Sequence, residues 1–352
     1  MIIDFHNHAF PKSYLDALAT GQYQATAERD PSGRLIMAQK GDYNVILPAH
    51  YDAGARVAAI DAAGVDMQVL TMTVPGVHGE SAGHGRRLAQ LVNDGFAEMI
   101  AAYPARLTAL AALPLQSPQA AVGELERAVT QLGLRGGTLF AHINGTPLDD
   151  PSFLPLFEKA VELDVPLFVH PIIPVHIGLM SDYRLVAVMG FLFETTVAAA
   201  RLVYSGLFEQ LPGLKLVLAH LGGTIPFIAE RMVRGYEVYE ECRANLSQSP
   251  METLKSLYMD TFPGTPEAVG TAVAFAGADK ILMGSDFPHQ IGDLPGGVRT
   301  IAQVDIGETE KAMILGGNAA RLLKLAGVGE FHPHPNPLPQ GRGRKISHPE
   351  KG

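Results

Sequence analysis

Cysteine is nearly absent from this chain. Cys242 is the only one in 352 residues, which excludes an intrachain disulfide and a thiolate metal cluster. A basic excess is missing too. The 27 lysines and arginines stand against 36 aspartates and glutamates, a formal net charge of −9, so no basic face for nucleic acid is expected. The longest apolar run, Leu185 to Phe193, is bounded by Arg184 and Glu194 and falls far short of a membrane span. The first residues, Met1 to His6, have neither the basic stretch nor the apolar core of a signal peptide. A soluble, cytoplasmic protein that binds no membrane and no nucleic acid is the expectation. No Gly-x-Gly-x-x-Gly loop follows any strand pattern, which argues against an open dinucleotide-binding sheet.

What is present is a large apolar fraction, 47% hydrophobic against 18% charged. That suits a large core and not a disordered chain. Short, nearly continuous apolar runs recur at Ile2–His6, Met67–Met72, Leu107–Leu113, Gly136–Phe140, Leu167–His170, Leu214–His220, Leu257–Asp260 and Lys280–Ser285. Runs without alternation predict strands covered on both faces, as in a parallel sheet. Helical stripes lie between them, at Ala53–Ala63, Arg86–Ala102, Pro118–Leu132, Pro151–Leu163, Glu194–Gln210, Ile225–Cys242, Pro266–Ala276 and Glu308–Leu325. Eight strand–helix units predict an α/β fold that closes as a (β/α)8 TIM barrel. Residues 1–328 are expected to form it. Within them Pro11–His50 breaks the rhythm and reads as an insertion after strand 1, a small β-hairpin over the barrel mouth. Residues 329–352, rich in Pro, His, Gly and basic residues, read as a disordered tail.

Five polar residues end these apolar strands. His6 and His8 close the first as His-x-His, and residues i and i+2 of a strand share a side. His170 ends the fifth, His220 the sixth and Asp286 the eighth. Polar groups there are costly unless they have partners. In a barrel, the carboxyl ends of the strands form the rim where active sites lie. Convergence of histidines and a carboxylate at one rim is what a divalent-metal site with open positions requires.

These motifs carry a resemblance. Asp4-Phe5-His6-Asn7-His8, Ile60-Asp61-Ala62-Ala63-Gly64-Val65-Asp66, Phe168-Val169-His170-Pro171, Ala219-His220-Leu221-Gly222-Gly223 and Gly284-Ser285-Asp286-Phe287-Pro288 together resemble the amidohydrolase superfamily. Within it they are similar to the subgroup of aminocarboxymuconate-semialdehyde and γ-resorcylate decarboxylases, over Met1 to Ala326. The resemblance implies that His6, His8, His170 and Asp286 ligate one divalent ion, zinc or manganese. It implies that His220 acts beside it as general acid/base, with Asp286 helping to protonate carbon. Superfamily members with two metals carry a bridging lysine on strand 4. Gly136-Gly137-Thr138-Leu139-Phe140 has none, which favours one metal. The implied activity is metal-dependent, non-oxidative decarboxylation of a small aromatic or unsaturated carboxylic acid. The alternative is hydrolysis of a lactone, amide or ester on the same scaffold.

The chain departs from the muconate enzymes where their arginines grip substrate carboxylates. Asn44 stands at the insertion position and Glu237-Val238-Tyr239 at the later one, although Arg231 is kept. A less anionic, aromatic acid is the resulting expectation. Arg184 and His176 lie on a loop that could overhang the site, and His289 is a candidate neighbour of Asp286. Asp4 is a candidate support for the first strand end. Asp61 and Asp66 flank the turn at Gly64 and read as turn residues. His50, His78, His84 and His142 read as structural or surface residues, and Cys242 as a bystander. The apolar helix around Glu194–Phe208 is a candidate homodimer face.

Overall fold

The computed structural model describes residues 1–39 and 42–325; the tail read as disordered, 329–352, lies outside them. The barrel strands are β1 (Ile3–His8), β2 (Met67–Thr71), β3 (Leu107–Ala109, continued by Ala111–Ala112), β4 (Gly137–Phe140), β5 (Leu167–His170), β6 (Leu216–Leu218), β7 (Tyr258–Asp260) and β8 (Ile281–Leu282, continued by Gly284–Phe287). Each pairs in parallel with the next, and β8 pairs in parallel with β1. The sheet therefore closes as the eight-stranded TIM barrel that the sequence predicts. Its interior is filled by Ile3, Phe5, Val69, Leu110, Phe168, Val217, Ala219 and Leu282. A second, larger apolar layer lies between strands and helices.

Strand β1 changes phase near its end. Ile3 and Phe5 pack in the barrel interior, while Asp4 and Asn7 bond to Gln68 and Arg56. Strict alternation would then send His6 and His8 outward. Instead the ladder shifts register between Asp4 and Asn7 on one side and between His6 and Asn7 on the other. A bulge of this kind re-aims side chains, and here it turns both imidazoles toward the centre of the rim.

The insertion is larger than a hairpin. It holds a helix (Lys12–Leu18), a three-stranded antiparallel sheet (Thr26–Arg29, Leu35–Gln39, Asp42–Ile46) and a short helix (Pro48–Tyr51). The sequence carries two turn signals there, Asp30-Pro31-Ser32-Gly33 and Gly41-Asp42, enough to separate three strands. A helix at Leu294–Gln303, capped by Asp293, was hidden in the sequence by Pro295-Gly296-Gly297, which reads as a turn. The outer helical run Val186–Tyr204 corrects one further expectation. It is long and apolar enough to cross a membrane, although 44% of its most apolar window is buried inside the fold. Ala199 and Leu202 on it are buried, while Val188, Phe193 and Val197 are exposed.

One buried cation ties the insertion to β1. Arg56 is fully buried. It donates to Ala49 O (2.8 Å), Asn7 Oδ1 (2.8 Å), Gln68 Oε1 (2.8 Å) and His8 O. Gln68 in turn donates to Asp4 Oδ2 (2.7 Å), which also accepts from Ser285 Oγ (2.6 Å). Burial pushes Asp4 up to about 7, against those hydrogen bonds. Removing one member of such a network leaves its partners buried and unpaired. Arg56→Ala is expected to destabilise the protein by about 3–5 kcal/mol, measured as a lowered denaturation midpoint; an unchanged midpoint would contradict it.

Candidate metal centre

Each of the three strand-end imidazoles has its Nδ1 committed elsewhere. His6 Nδ1 lies 2.6 Å from Asp260 Oδ2. His8 Nδ1 lies 3.2 Å from Thr71 Oγ1, whose own proton goes to Asn7 O. His170 Nδ1 lies 2.8 Å from Pro171 O and 3.1 Å from Thr73 Oγ1. These acceptors assign the ring proton to Nδ1 in every case, which leaves the lone pair on Nε2. The free nitrogens face one another: His6 Nε2 and His8 Nε2 are 3.1 Å apart.

Asp286 completes the group. Its Oδ1 is 2.8 Å from His8 Nε2 and 3.8 Å from His6 Nε2. The 2.8 Å approach lacks the angles of a hydrogen bond, so this buried oxygen has no hydrogen-bond partner. One ligand atom from each of His6, His8, His170 and Asp286 falls within 4.8 Å of the others, and all four residues are buried. Burial pushes the Asp286 carboxyl up to about 7. Burial, with neighbouring imidazoles, holds His8 and His170 well below the ordinary histidine range. Burial also works to lower His6, but the charge and hydrogen bond of Asp260 raise it. Three imidazoles whose Nδ1 atoms are committed elsewhere, with an unpartnered carboxylate, fit a divalent cation, and a cation would supply the charge that keeps Asp286 ionised.

Asp260, given no role in the sequence reading, organises this floor. It is buried at the end of β7. Its Oδ2 takes His6 Nδ1 and the backbone N–H of His220 (3.0 Å), and its Oδ1 takes the N–H of Phe262 (2.8 Å). The available signal was position: Asp260 ends its strand as His170 ends β5. Outer partners of metal-binding histidines typically change metal affinity or activity 10- to 100-fold. Asp260→Asn is expected to weaken metal affinity by about that factor, read by competition with a chromophoric chelator; an unaltered affinity would contradict the assignment.

His220 follows β6 in a left-handed turn, with φ +57° at His220, +55° at Leu221, +70° at Gly222 and +65° at Gly223. A Cβ at Gly223 would collide with the backbone oxygen of Leu192, so glycine is needed there. The turn brings the His220 ring centroid to 5.0 Å from His6 and 5.6 Å from His170. His220 Nδ1 is buried without a hydrogen-bond partner. Asp286 also has positive φ, +56°. Sparsely populated backbone at two rim residues fits a site that the surrounding fold over-determines.

Above the floor lies a cavity of about 330 Å³. His170, His220 and Asp286 line its base. Val45, Val74, Val188, Phe191, Leu192, Phe262 and Pro263 form apolar walls, and Asn44, Arg184 and His289 add polar groups. Asn44 donates to Val74 O (3.3 Å). The Arg184 guanidinium sits 4.8 Å from the Tyr43 ring centroid. His176, Arg231 and His84 are exposed and do not line this cavity. Asp61 pairs with Arg106 (2.6 Å) and Asp66 accepts from the N–H of Ile2 (2.7 Å), both outside the site. His50 and His78 are buried, and His142 is half-buried.

A family model described as amidohydrolase matches residues 3–325. The chain belongs to the amidohydrolase family. Its relatives place this amidohydrolase in the subgroup that the motifs resemble. It is 31% identical over 329 residues to a 2-amino-3-carboxymuconate-6-semialdehyde decarboxylase of Dictyostelium discoideum, covering 92% of this chain and 91% of the relative. It is 30% identical over 299 residues to a γ-resorcylate decarboxylase of Polaromonas sp., covering 77% and 86%. A solved dihydroxybenzoic acid decarboxylase of Polaromonas sp. JS666, with bound manganese and the inhibitor 2-nitroresorcinol, superposes with a TM-score of 0.74 at 26% identity. That match covers 92% of this amidohydrolase and 97% of the solved chain.

Proposed function

We propose that this amidohydrolase is a metal-dependent, non-oxidative decarboxylase of a small aromatic carboxylic acid. The observation that carries the metal dependence is the convergence of one ligand atom from each of His6, His8, His170 and Asp286 at the base of a mostly apolar cavity. His6, His8, His170 and Asp286 would hold one divalent ion, zinc or manganese; manganese is bound in the dihydroxybenzoic acid decarboxylase. When bound, such an ion supplies positive charge that polarises substrate oxygens. The names of both relatives support decarboxylation. In the reaction the bond from carbon to carboxylate breaks, its electron pair stays with the substrate, and one proton replaces the departing carbon dioxide.

The protein's own groups would orient the acid and move that proton. Apolar walls accept a ring and exclude water. His220, held neutral by burial, which takes it down to about 3, lines the cavity base, where its imidazole accepts and returns a proton. The Asp286 carboxylate sits at the cavity base, where it can take up a proton and pass it to the carbon. Asn44 is uncharged, and Arg184 is the one arginine among the residues that line the cavity. That supports a less anionic, aromatic acid over a muconate dianion.

Residues 1–328 would act as one catalytic unit, with 11–50 shaping the mouth through Asn44 and Val45. The half-exposed Phe193 and Val197 on Val186–Tyr204 support a homodimer face there, and the single cysteine suits a cytoplasmic location. The deciding assay supplies hydroxybenzoates and muconate-type acids to the metal-loaded protein and measures carbon dioxide release. Release from a hydroxybenzoate is expected. Hydrolysis of lactones, amides or esters with no carbon dioxide from any acid would overturn the reading.

A further inference from the structure

The proposed chemistry makes no use of a second histidine pair, one member of which comes from the insertion. His50 lies in the short helix Pro48–Tyr51, is buried, and stacks on Phe10 with ring centroids 5.5 Å apart. Its Nδ1 is 3.0 Å from the backbone nitrogen of Leu47. A backbone N–H can only donate, so this Nδ1 carries a lone pair and the ring proton is on Nε2. His50 Nε2 lies 3.3 Å from His289 Nδ1. His289 must therefore accept at Nδ1, which places its own proton on Nε2. His289 lines the cavity, its ring 4.7 Å from that of His8. Among the described residues its Nε2 has no hydrogen-bond partner. Asn44, which the insertion contributes to the same cavity, gives one of its two amide N–H groups to Val74 O.

We propose that the Leu47 amide and His50 fix the tautomer of His289 so that its Nε2–H is presented to an anionic oxygen of the bound acid. The inference rests on the decarboxylase reading for the identity of the ligand, but the relay itself is a property of the protein. His289 is then a substrate-contacting donor without net charge, and His50 is a positioning residue that acts through it. Without His50 the imidazole of His289 could exchange tautomers and offer a lone pair to the substrate oxygen, which repels it.

The test uses the full-length, zinc-loaded chain labelled with 15N-histidine, with His289→Gln to assign the resonances. The expected spectrum shows His289 with a protonated Nε2 and an unprotonated Nδ1, and this single-tautomer signature is lost in His50→Leu. Binding of 2,6-dihydroxybenzoate is then measured. His289→Phe, which keeps a ring against His8, should weaken binding about tenfold or more, the usual effect of losing a hydrogen bond to a charged group. His50→Leu should weaken it as well, whereas His289→Gln and His50→Gln, which keep an N–H at similar reach, should bind nearly as well as the unmutated protein. A proton on His289 Nδ1 in the unmutated protein, or undiminished binding by His289→Phe, overturns the proposal. If the unmutated protein neither binds nor decarboxylates hydroxybenzoates, the decarboxylase reading fails, and the spectrum alone decides the relay.

Discussion

Replacing His220 by asparagine should leave the metal content unchanged and lower turnover by about 10²- to 10⁴-fold, the usual contribution of a positioned proton-transfer group. His220 is not among the four residues whose ligand atoms converge. It lines the cavity base, and its Nδ1 is buried without a partner. Burial lowers it to about 3, so at neutral pH it begins as a base. Asparagine is the better replacement because φ is +57° at this position, and asparagine tolerates the left-handed region. Alanine should be equally inactive, but it tolerates this left-handed φ less well than asparagine or the native histidine. Metal analysis and carbon dioxide release on the same preparation check the pair of outcomes. Retained turnover with the ion in place would rule out the proton role.

Stripping the divalent ion with a chelator should abolish turnover and lower the melting temperature, and added zinc or manganese should restore both. Without a cation, Asp286 is a buried carboxyl with one unpartnered oxygen, pushed up to about 7. His6 Nε2 and His8 Nε2 then lie 3.1 Å apart, beside that carboxyl, with no ion to coordinate. Both features are unfavourable alone and favourable around a positive ion. A ligand present at a thousand times its dissociation constant stabilises by about 4 kcal/mol. At roughly 2–4 °C per kcal/mol for domains somewhat smaller than this one, a fall on the order of 10 °C is expected. An unchanged melting curve with full activity after chelation would contradict the metal's role.

Much of this site was legible because each rim residue ends an apolar strand. Leu167–His170 forms with the bounds read from the sequence, as do the helices Ala53–Ala63 and Pro266–Ala276. A polar residue after a continuous apolar run is visible without a structure. What could not be read depends on tertiary contact. The phase change in β1 follows from register with two neighbouring strands, and alternation alone would have turned His6 and His8 away from the filled interior of Ile3 and Phe5. Asp260 sits at a strand end like the others, but its value lies in reaching His6, 254 positions away. His50 and His289 are 239 positions apart, and nothing local to His50 marks it as more than a structural residue. The third strand of the insertion was obscured because its turn signals were read as belonging to one hairpin.

Metal stoichiometry bears most directly on the whole account. Elemental analysis of the purified chain and of His170→Ala, each after equilibration with zinc or manganese and removal of free ion, is the measurement. The geometry predicts about one divalent ion per unmutated chain and little retained by His170→Ala, because one of four converging ligands is gone. A metal-free unmutated chain that still released carbon dioxide, or a variant that held its ion as tightly, would contradict it.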